Sequence, residues 1–358
     1  MYLDRYQHLY DLERTRVPIP DGGPDMMRLQ RNEKPNNWPK DLQDLIFGTI
    51  PEDLLQRYPD PTVAYQKLST FLGIPEKNLL LTSGIEEAIR VILTLACEPG
   101  DTFAVPWPTY AMYKVNGDIL NLKLAPITYT PEHFTTPAEI DAGLPQSTKV
   151  LFLPNPSQPV ENCFDIDQLR EIASNCQKKE IVFAVDEAYQ FFGGPSAIPL
   201  IDEFQNVLVM RSFSKAFGSA SLRFGYLIGS DHAIRPLDAY RLGYESNSLC
   251  LHAASVLLDC FDSHVQPSID SICEGRDYIR TQAIEHGMQA WGSVSNSVLI
   301  DLGSNERMIK AGKSLESKNI YVKWALPAPL DRHILVTCGP REIMGRFLKE
   351  LLDSLGDN

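Results

Sequence analysis

The feature that most constrains this chain is a series of short apolar runs without polar alternation, separated by stretches of helical character. VLFLP (150–154), IVFAV (181–185) and VLVM (207–210) are such runs, and LRFGYLIGS (222–230) holds another. A β-rich run of this length with no polar alternate is a strand buried on both faces. IEEAIRVILTLAC (85–97) and DIDQLREIASNCQ (165–177) read as helices, the second opened by Asp165 as N-cap. Strand and helix in alternation predict an α/β fold, a largely parallel sheet with helices on both faces. Such sheets bind ligands beyond the carboxyl ends of their strands. Asn155, Asp186 and Lys215 follow three of those ends.

The length of 358 residues suits a large domain and a smaller one. The chain to about Asn37 is polar, is broken by PIPDGGP (18–24) and reads as an arm, and RLQRNEKPNNWP (28–39) reads as extended with turns. After Leu251, helical stretches (HAASVLLDCF, SIDSICEGRDYIRTQAIEHG) precede short strands (SNSVLIDL, NIYVKWAL, HILVTCG) and a closing helix, REIMGRFLKELLDSL. The expected organisation is an arm with part of the small domain over 1–45, a large domain over 46–250 and a small α+β domain over 251–358.

A net charge of −13 argues against non-specific binding to nucleic acid or an anionic membrane. The seven cysteines are scattered, with no CxxC pair and no zinc spacing, and read as reduced thiols. No metal site is expected. The opening MYLDRYQHLYDLERTR is too polar for a secretory signal, and no apolar run is long enough to span a bilayer. The cytoplasm is the expected compartment.

SFSKAFGSASLRFGY (212–226) carries the strongest local signal. A lysine after a buried strand, with its pKa lowered by neighbours, can form an imine with an aldehyde cofactor. Ser212, Ser214 and Arg223 suit a phosphate dianion. Taken alone, Lys215 reads as a surface lysine in a turn, much the commonest fate of a lysine. Asp186 ends a buried strand, where a carboxylate costs several kcal/mol or so unless a cation meets it. A protonated pyridine nitrogen is such a cation, and N-capping of the next segment is the plainer reading. Tyr189 and Asn155 could both reach a phenolic ring oxygen, although Asn155 also fits a plain Asn-Pro turn. In TSGIEEAIRVI (82–92), the amides of Gly84, Ile85 and Glu86 open a helix toward an anion. Tyr110, in PWPTYAMY (106–113), suits stacking on a flat ring or ordinary core packing.

Taken in order, SG-EEA, PTYAMY, NPSQP, VDEAY, SFSKAFG and LRFGY resemble the motif series of fold-type I pyridoxal-phosphate (PLP) aminotransferases of class I/II. The nearest resemblance is to histidinol-phosphate aminotransferases and threonine-phosphate decarboxylases, from about Leu29 to the C-terminus. It implies a seven-stranded, mostly parallel sheet between helices and a smaller α+β domain. It also implies pyridoxal 5'-phosphate as cofactor, held as a Schiff base by Lys215, which doubles as proton shuttle. Asp186 would pair with the pyridine nitrogen, Tyr189 and Asn155 with the ring hydroxyl, and Tyr110 would stack on the ring. Gly84, Ile85, Glu86, Ser212, Ser214 and Arg223 would hold the phosphate. Tyr58, in RYPDP, would reach the phosphate of the other subunit, which implies a homodimer with a shared active site. RNEKP resembles the family's NENP segment and would put Asn32 and Glu33 near the substrate entrance.

Three departures from the family pattern stand out. Four residues before Gly339, where relatives carry a carboxylate-gripping arginine, stands Leu335; Arg332 and His333 are near but off that register. The arginine expected after a GIxVR-like strand is Lys323, a point charge without the guanidinium fork. NPSQPVE lacks the usual Thr-Gly after its second proline. The expected activity is therefore ping-pong transamination of a small phosphorylated or otherwise atypical amine or amino acid. Lys323 or Arg332 would meet its acidic group. Decarboxylation of a phosphorylated amino acid is the alternative on the same scaffold, and a non-catalytic ligand-binding homologue the alternative of another class.

Overall fold

The computed structural model describes residues 4–13, 23 and 25–356. Apart from Gly23, the PIPDGGP stretch lies outside the described residues.

Among the described residues twelve strands are formed: β1 (Met27–Leu29), β2 (Leu79–Thr82), β3 (Thr102–Trp107), β4 (Lys123–Thr128), β5 (Thr148–Pro154), β6 (Val182–Asp186), β7 (Val207–Ser212), β8 (Gly225–Gly229), β9 (Gln289–Trp291), β10 (Ser297–Asp301), β11 (Ile320–Val322) and β12 (His333–Thr337). Seven of them make one sheet in the order β2-β8-β7-β6-β5-β3-β4. Only β8 runs antiparallel to its neighbours. The unalternating runs are explained by position. β7 buries every residue, β5 all but Lys149, and β6 all but the half-buried Val182. Each such Val, Leu or Phe contributes about 1.5–3 kcal/mol on leaving water.

Helices cover the sheet, including Ile85–Ala96, which buries Ile85, Ala88, Ile89, Val91, Ile92 and Leu93. Helix Ile166–Lys178 starts where Asp165 predicted. The Asp165 carboxylate accepts from Gln168 N at 2.9 Å and Gln168 Oε1 accepts from Asp165 N at 3.0 Å, a reciprocal cap.

The later strands form a second, antiparallel sheet in the order β12-β10-β9, while β1 pairs in parallel with β11. The expected NIYVKWAL strand is shorter than its apolar run. β11 stops at Val322, Lys323 keeps one bridge to Leu335, and Ala325 turns the chain at φ +55°. The boundary expected at 250/251 lies inside helix Ser248–Asp259, which packs on helices Lys40–Gly48 and Thr62–Leu72.

The two sheets are stitched together by the NPSQPVE stretch. Gln158 Nε2 donates to Ser295 Oγ at 2.6 Å, and Gln158 Oε1 accepts from Ser297 Oγ at 2.9 Å. The buried Glu161 carboxylate accepts from Ser293 N at 2.6 Å, Ser293 Oγ at 2.7 Å and Val294 N at 3.1 Å. A glycine at 161 would supply none of these bonds. Arg276 adds a further tie, donating through Nη1 to Phe192 O and Ser295 O, each at 3.1 Å.

Candidate active site

A cavity of about 530 Å³ opens at the carboxyl edge of the large sheet, where Pro154, Asp186 and Ser212 end β5, β6 and β7. The β1–β11 pairing lays Gln30, Arg31, Asn32 and Glu33 along one wall. Ile85, Glu86, Tyr110, Asp186, Tyr189, Ser212, Ser214, Lys215, Arg223, Asn32 and Lys323, all singled out in the sequence, line this one space.

Lys215 Nζ donates to the carbonyl of Arg31 at 3.1 Å and lies 5.8 Å from the centre of the Tyr189 ring. Burial pushes its pKa down to about 8, against the pull of Glu33 and Asp186 and with help from the charges of Arg223 and Lys323. A fraction of this amine is thus neutral near neutrality, as a nucleophile or proton acceptor must be.

Asp186 is the opposite case. Burial pushes its carboxyl up to about 6, opposed by a hydrogen bond from Tyr113 and by the amide of Ala188. Tyr113 Oη donates to Asp186 Oδ2 at 2.5 Å and Ala188 N to Oδ1 at 3.0 Å. Each oxygen keeps one lone pair for a cationic partner in the cavity.

The other end of the cavity is built for an anion. Gly84 precedes helix Ile85–Ala96 with φ +77° and provides no side-chain cap, and Ile85 and Glu86 of its first turn line the cavity, so the positive end of the helix lies at this recess. A Cβ on Gly84 would come within 2.6 Å of Arg223 Nη2 and fill the recess. Ser212 Oγ donates to Ser214 Oγ at 2.8 Å and accepts from Ser214 N at 3.0 Å. Arg223 sits in the left-handed region at φ 54°, and its Nη1 donates to Ala220 O at 3.0 Å. Two hydroxyls, a guanidinium and a helix N-terminus fit a phosphate dianion. A buried carboxylate and an amine of lowered pKa complete a donor set that fits pyridoxal 5'-phosphate.

Four expected residues are not on the cavity wall: Gly84, which only precedes the lining Ile85, and Asn155, Tyr58 and Arg332. Asn155 is fully buried; its Nδ2 donates to Phe164 O at 3.1 Å and its Oδ1 accepts from Phe164 N at 2.7 Å. In this arrangement Asn155 closes its own loop. Tyr58 is 79% exposed and stacks flat on Tyr244 with ring centres 4.7 Å apart. Arg332 is turned to Asp301 at 2.8 Å and Glu132 at 3.7 Å.

Leu335 lines the cavity and is buried, so an apolar side chain occupies the wall position expected for the arginine. Lys323, bridged to it through backbone, lines the same wall, and no ion pair holds its amine among the described residues. Burial alone lowers its pKa.

Tyr113 is the residue the motif reading passed over. It sits three places after Tyr110, in the first turn of helix Met112–Ile119, and its pairing with Asp186 spans 73 residues that no local pattern links.

Residues 27–348 match the family described as aminotransferase class I and II. The histidinol-phosphate aminotransferase of Ruminiclostridium cellulolyticum is 29% identical, with 92% of each chain covered. That of Pyrococcus furiosus is also 29% identical, covering 91% of this chain and 92% of its own. Among solved structures, the histidinol-phosphate aminotransferase of Sinorhizobium meliloti in complex with pyridoxal-5'-phosphate superposes with a TM-score of 0.84 at 21% identity, over 92% of this chain and 91% of that one. The aspartate aminotransferase of Thermus thermophilus with maleate gives 0.78 at 17% identity, over 92% of both.

Proposed function

This chain belongs to the class I and II aminotransferases, which are pyridoxal-phosphate-dependent transferases, and from that premise we propose that it transfers the amino group of a small phosphorylated or otherwise atypical amine or amino acid. The observation that carries the substrate reading is the pairing of Leu335 with an uncommitted Lys323 on one cavity wall. A substrate α-carboxylate against Leu335 would lose its partner, at about 2–5 kcal/mol for a buried charge. A phosphate seeks a cation and tolerates a point charge, which Lys323 supplies.

Pyridoxal phosphate, when bound, supplies the electron sink for the pair released at the substrate carbon. The chain's own residues do the rest. Lys215 Nζ would hold the cofactor covalently and, as a free amine, would take and return the proton at the substrate carbon. Asp186 holds a positive charge at the ring nitrogen, Tyr189 meets the ring oxygen, and Tyr110 covers the ring face. Gly84, Ile85, Glu86, Ser212, Ser214 and Arg223 grip the phosphate. Donor and acceptor are amino and keto compounds that occupy the cavity in turn, in ping-pong order. The exposed Tyr58 supports a homodimer in which it reaches the partner's phosphate site. The acidic charge and the absence, among the described residues, of a helix long and apolar enough to cross a membrane are consistent with work in the cytoplasm.

The test is a donor panel assayed by the cofactor's absorbance change, with Lys323→Met beside the parent. Phosphorylated donors should react at least tenfold faster, as kcat/KM, than glutamate, and Lys323→Met should remove that preference. Robust turnover of glutamate with ordinary affinity would refute the substrate reading. Release of CO₂ without a keto-acid partner would replace transamination by decarboxylation.

A further inference from the structure

The ring oxygen's partner, Tyr189, is not left to choose the direction of its own hydrogen bond. Asn32 Nδ2 donates to Tyr189 Oη at 2.7 Å. The other half of that amide is fixed by β12, because Thr337 Oγ1 donates to Asn32 Oδ1 at 3.3 Å. Thr337 is fixed in turn, because its Oγ1 accepts from the Asn32 backbone N–H at 2.9 Å, which leaves its own hydrogen for Oδ1. The Asn32 carbonyl is held by Asn296 Nδ2 at 3.1 Å. Asn32 and Thr337 are buried, so water does not compete for these groups. The bonds run one way: Asn32 N–H to Thr337, Thr337 O–H to Asn32 Oδ1, Asn32 Nδ2–H to Tyr189. Tyr189 Oη is thereby an acceptor on its Asn32 side, and its hydrogen is left for the cavity that it lines.

We propose that Thr337 is a positioning residue for the cofactor: through Asn32 it sets the polarity of the Tyr189 hydroxyl, so that this hydroxyl donates to the ring oxygen. The inference rests on the reading that Tyr189 meets that oxygen. A donor there stabilises the anionic oxygen and so loosens the proton shared with the Lys215 nitrogen. Without Thr337 the Asn32 amide can turn over, present its oxygen to Tyr189 and draw the phenolic hydrogen out of the cavity.

The experiment is a pH titration of the visible absorption band of the cofactor-loaded enzyme, on Thr337→Val, Thr337→Ser and Tyr189→Phe beside the parent. The charged groups nearest the reacting nitrogen, Asp186, Glu33, Arg223 and Lys323, are unchanged in all of them. Thr337→Val should raise the midpoint by about one pH unit, tenfold in proton affinity. Tyr189→Phe should raise it at least as far, and Thr337→Ser should leave it at the parental value. Should the valine variant fail to fold, Thr337→Ala removes the same hydroxyl with less bulk. A shift in Tyr189→Phe with none in Thr337→Val would overturn the inference and leave the role of Tyr189 standing. No shift in Tyr189→Phe would overturn both. A shift in Thr337→Ser equal to that in Thr337→Val would mean shape rather than the hydroxyl matters, and would also overturn it.

Discussion

Lys215 carries a folding penalty whose size and pH dependence can be worked out. Its pKa falls from the ordinary 10.5 to about 8 because the ammonium is buried. At about 1.4 kcal/mol per pH unit, holding the proton inside the cofactor-free fold costs about 3 kcal/mol. The sign follows from proton counts. Between about pH 8 and 10.5 the unfolded chain holds this proton and the folded chain does not, so stability rises with pH across that window and the full cost is present below it. Lys215→Met keeps the length of the side chain and removes the charge. In urea unfolding of cofactor-free protein, the variant should exceed the parent by about 3 kcal/mol at pH 7, about 2 at pH 9 and under roughly 0.5 at pH 10.5. Equal stability at pH 7, or a gap that persists undiminished at the highest pH, would refute the assignment of a buried amine of lowered pKa. On the proposed reading, covalent attachment of an aldehyde to this nitrogen would remove that cost.

Two other perturbations probe the support beneath the site. Tyr113→Phe removes the donor to Asp186 Oδ2, and the carboxyl should rise further above about 6. At about 1.5–3 kcal/mol for a hydrogen bond to a charged group, cofactor affinity at neutral pH should fall on the order of tenfold to a hundredfold; a fluorescence titration that returned the parental affinity would contradict this. Beside Asp186, Glu187 is fully buried and accepts from Arg211 Nε at 2.9 Å and Nη2 at 2.7 Å, with Ser196 Oγ at 3.1 Å. Arg211→Met strands that carboxylate and should cost about 3–5 kcal/mol in urea unfolding, and a loss below about 1 kcal/mol would mean the pair is not coupled.

Much of this architecture could be read from local pattern, and the reasons are physical. Strands buried on both faces leave unalternating runs, so β5, β6 and β7 were legible, as was the Asp165 cap, because both signals are written within a few residues. β1 and β9 are three residues long and left no comparable trace. The pairing of β1 with β11 joins positions nearly three hundred residues apart, as in Met27 with Ile320. That Asp186, Ser212, Ser214 and Lys215 share one cavity was legible because they follow strand ends in motifs. Asn155 shows the limit of that method: an Asn-Pro turn signals a loop, and the structure spends the amide on closing that loop. Arg332 shows another limit, since a cation near the right register is captured by Asp301, a neighbour invisible to spacing. Tyr113 with Asp186, and Asn32 with Thr337, are encounters made only by folding.

The Glu161 carboxylate, inside the seam between the two sheets, bears on how this chain could be redesigned. Importing at 160–161 the Thr-Gly that the motif resemblance leads one to expect would change two adjacent residues. Here it would unzip three hydrogen bonds to Ser293 and Val294 at once. Consensus averaging is thus unsafe at this stretch, and a chimera that swaps it must carry the 293–297 loop along as its matched counterpart.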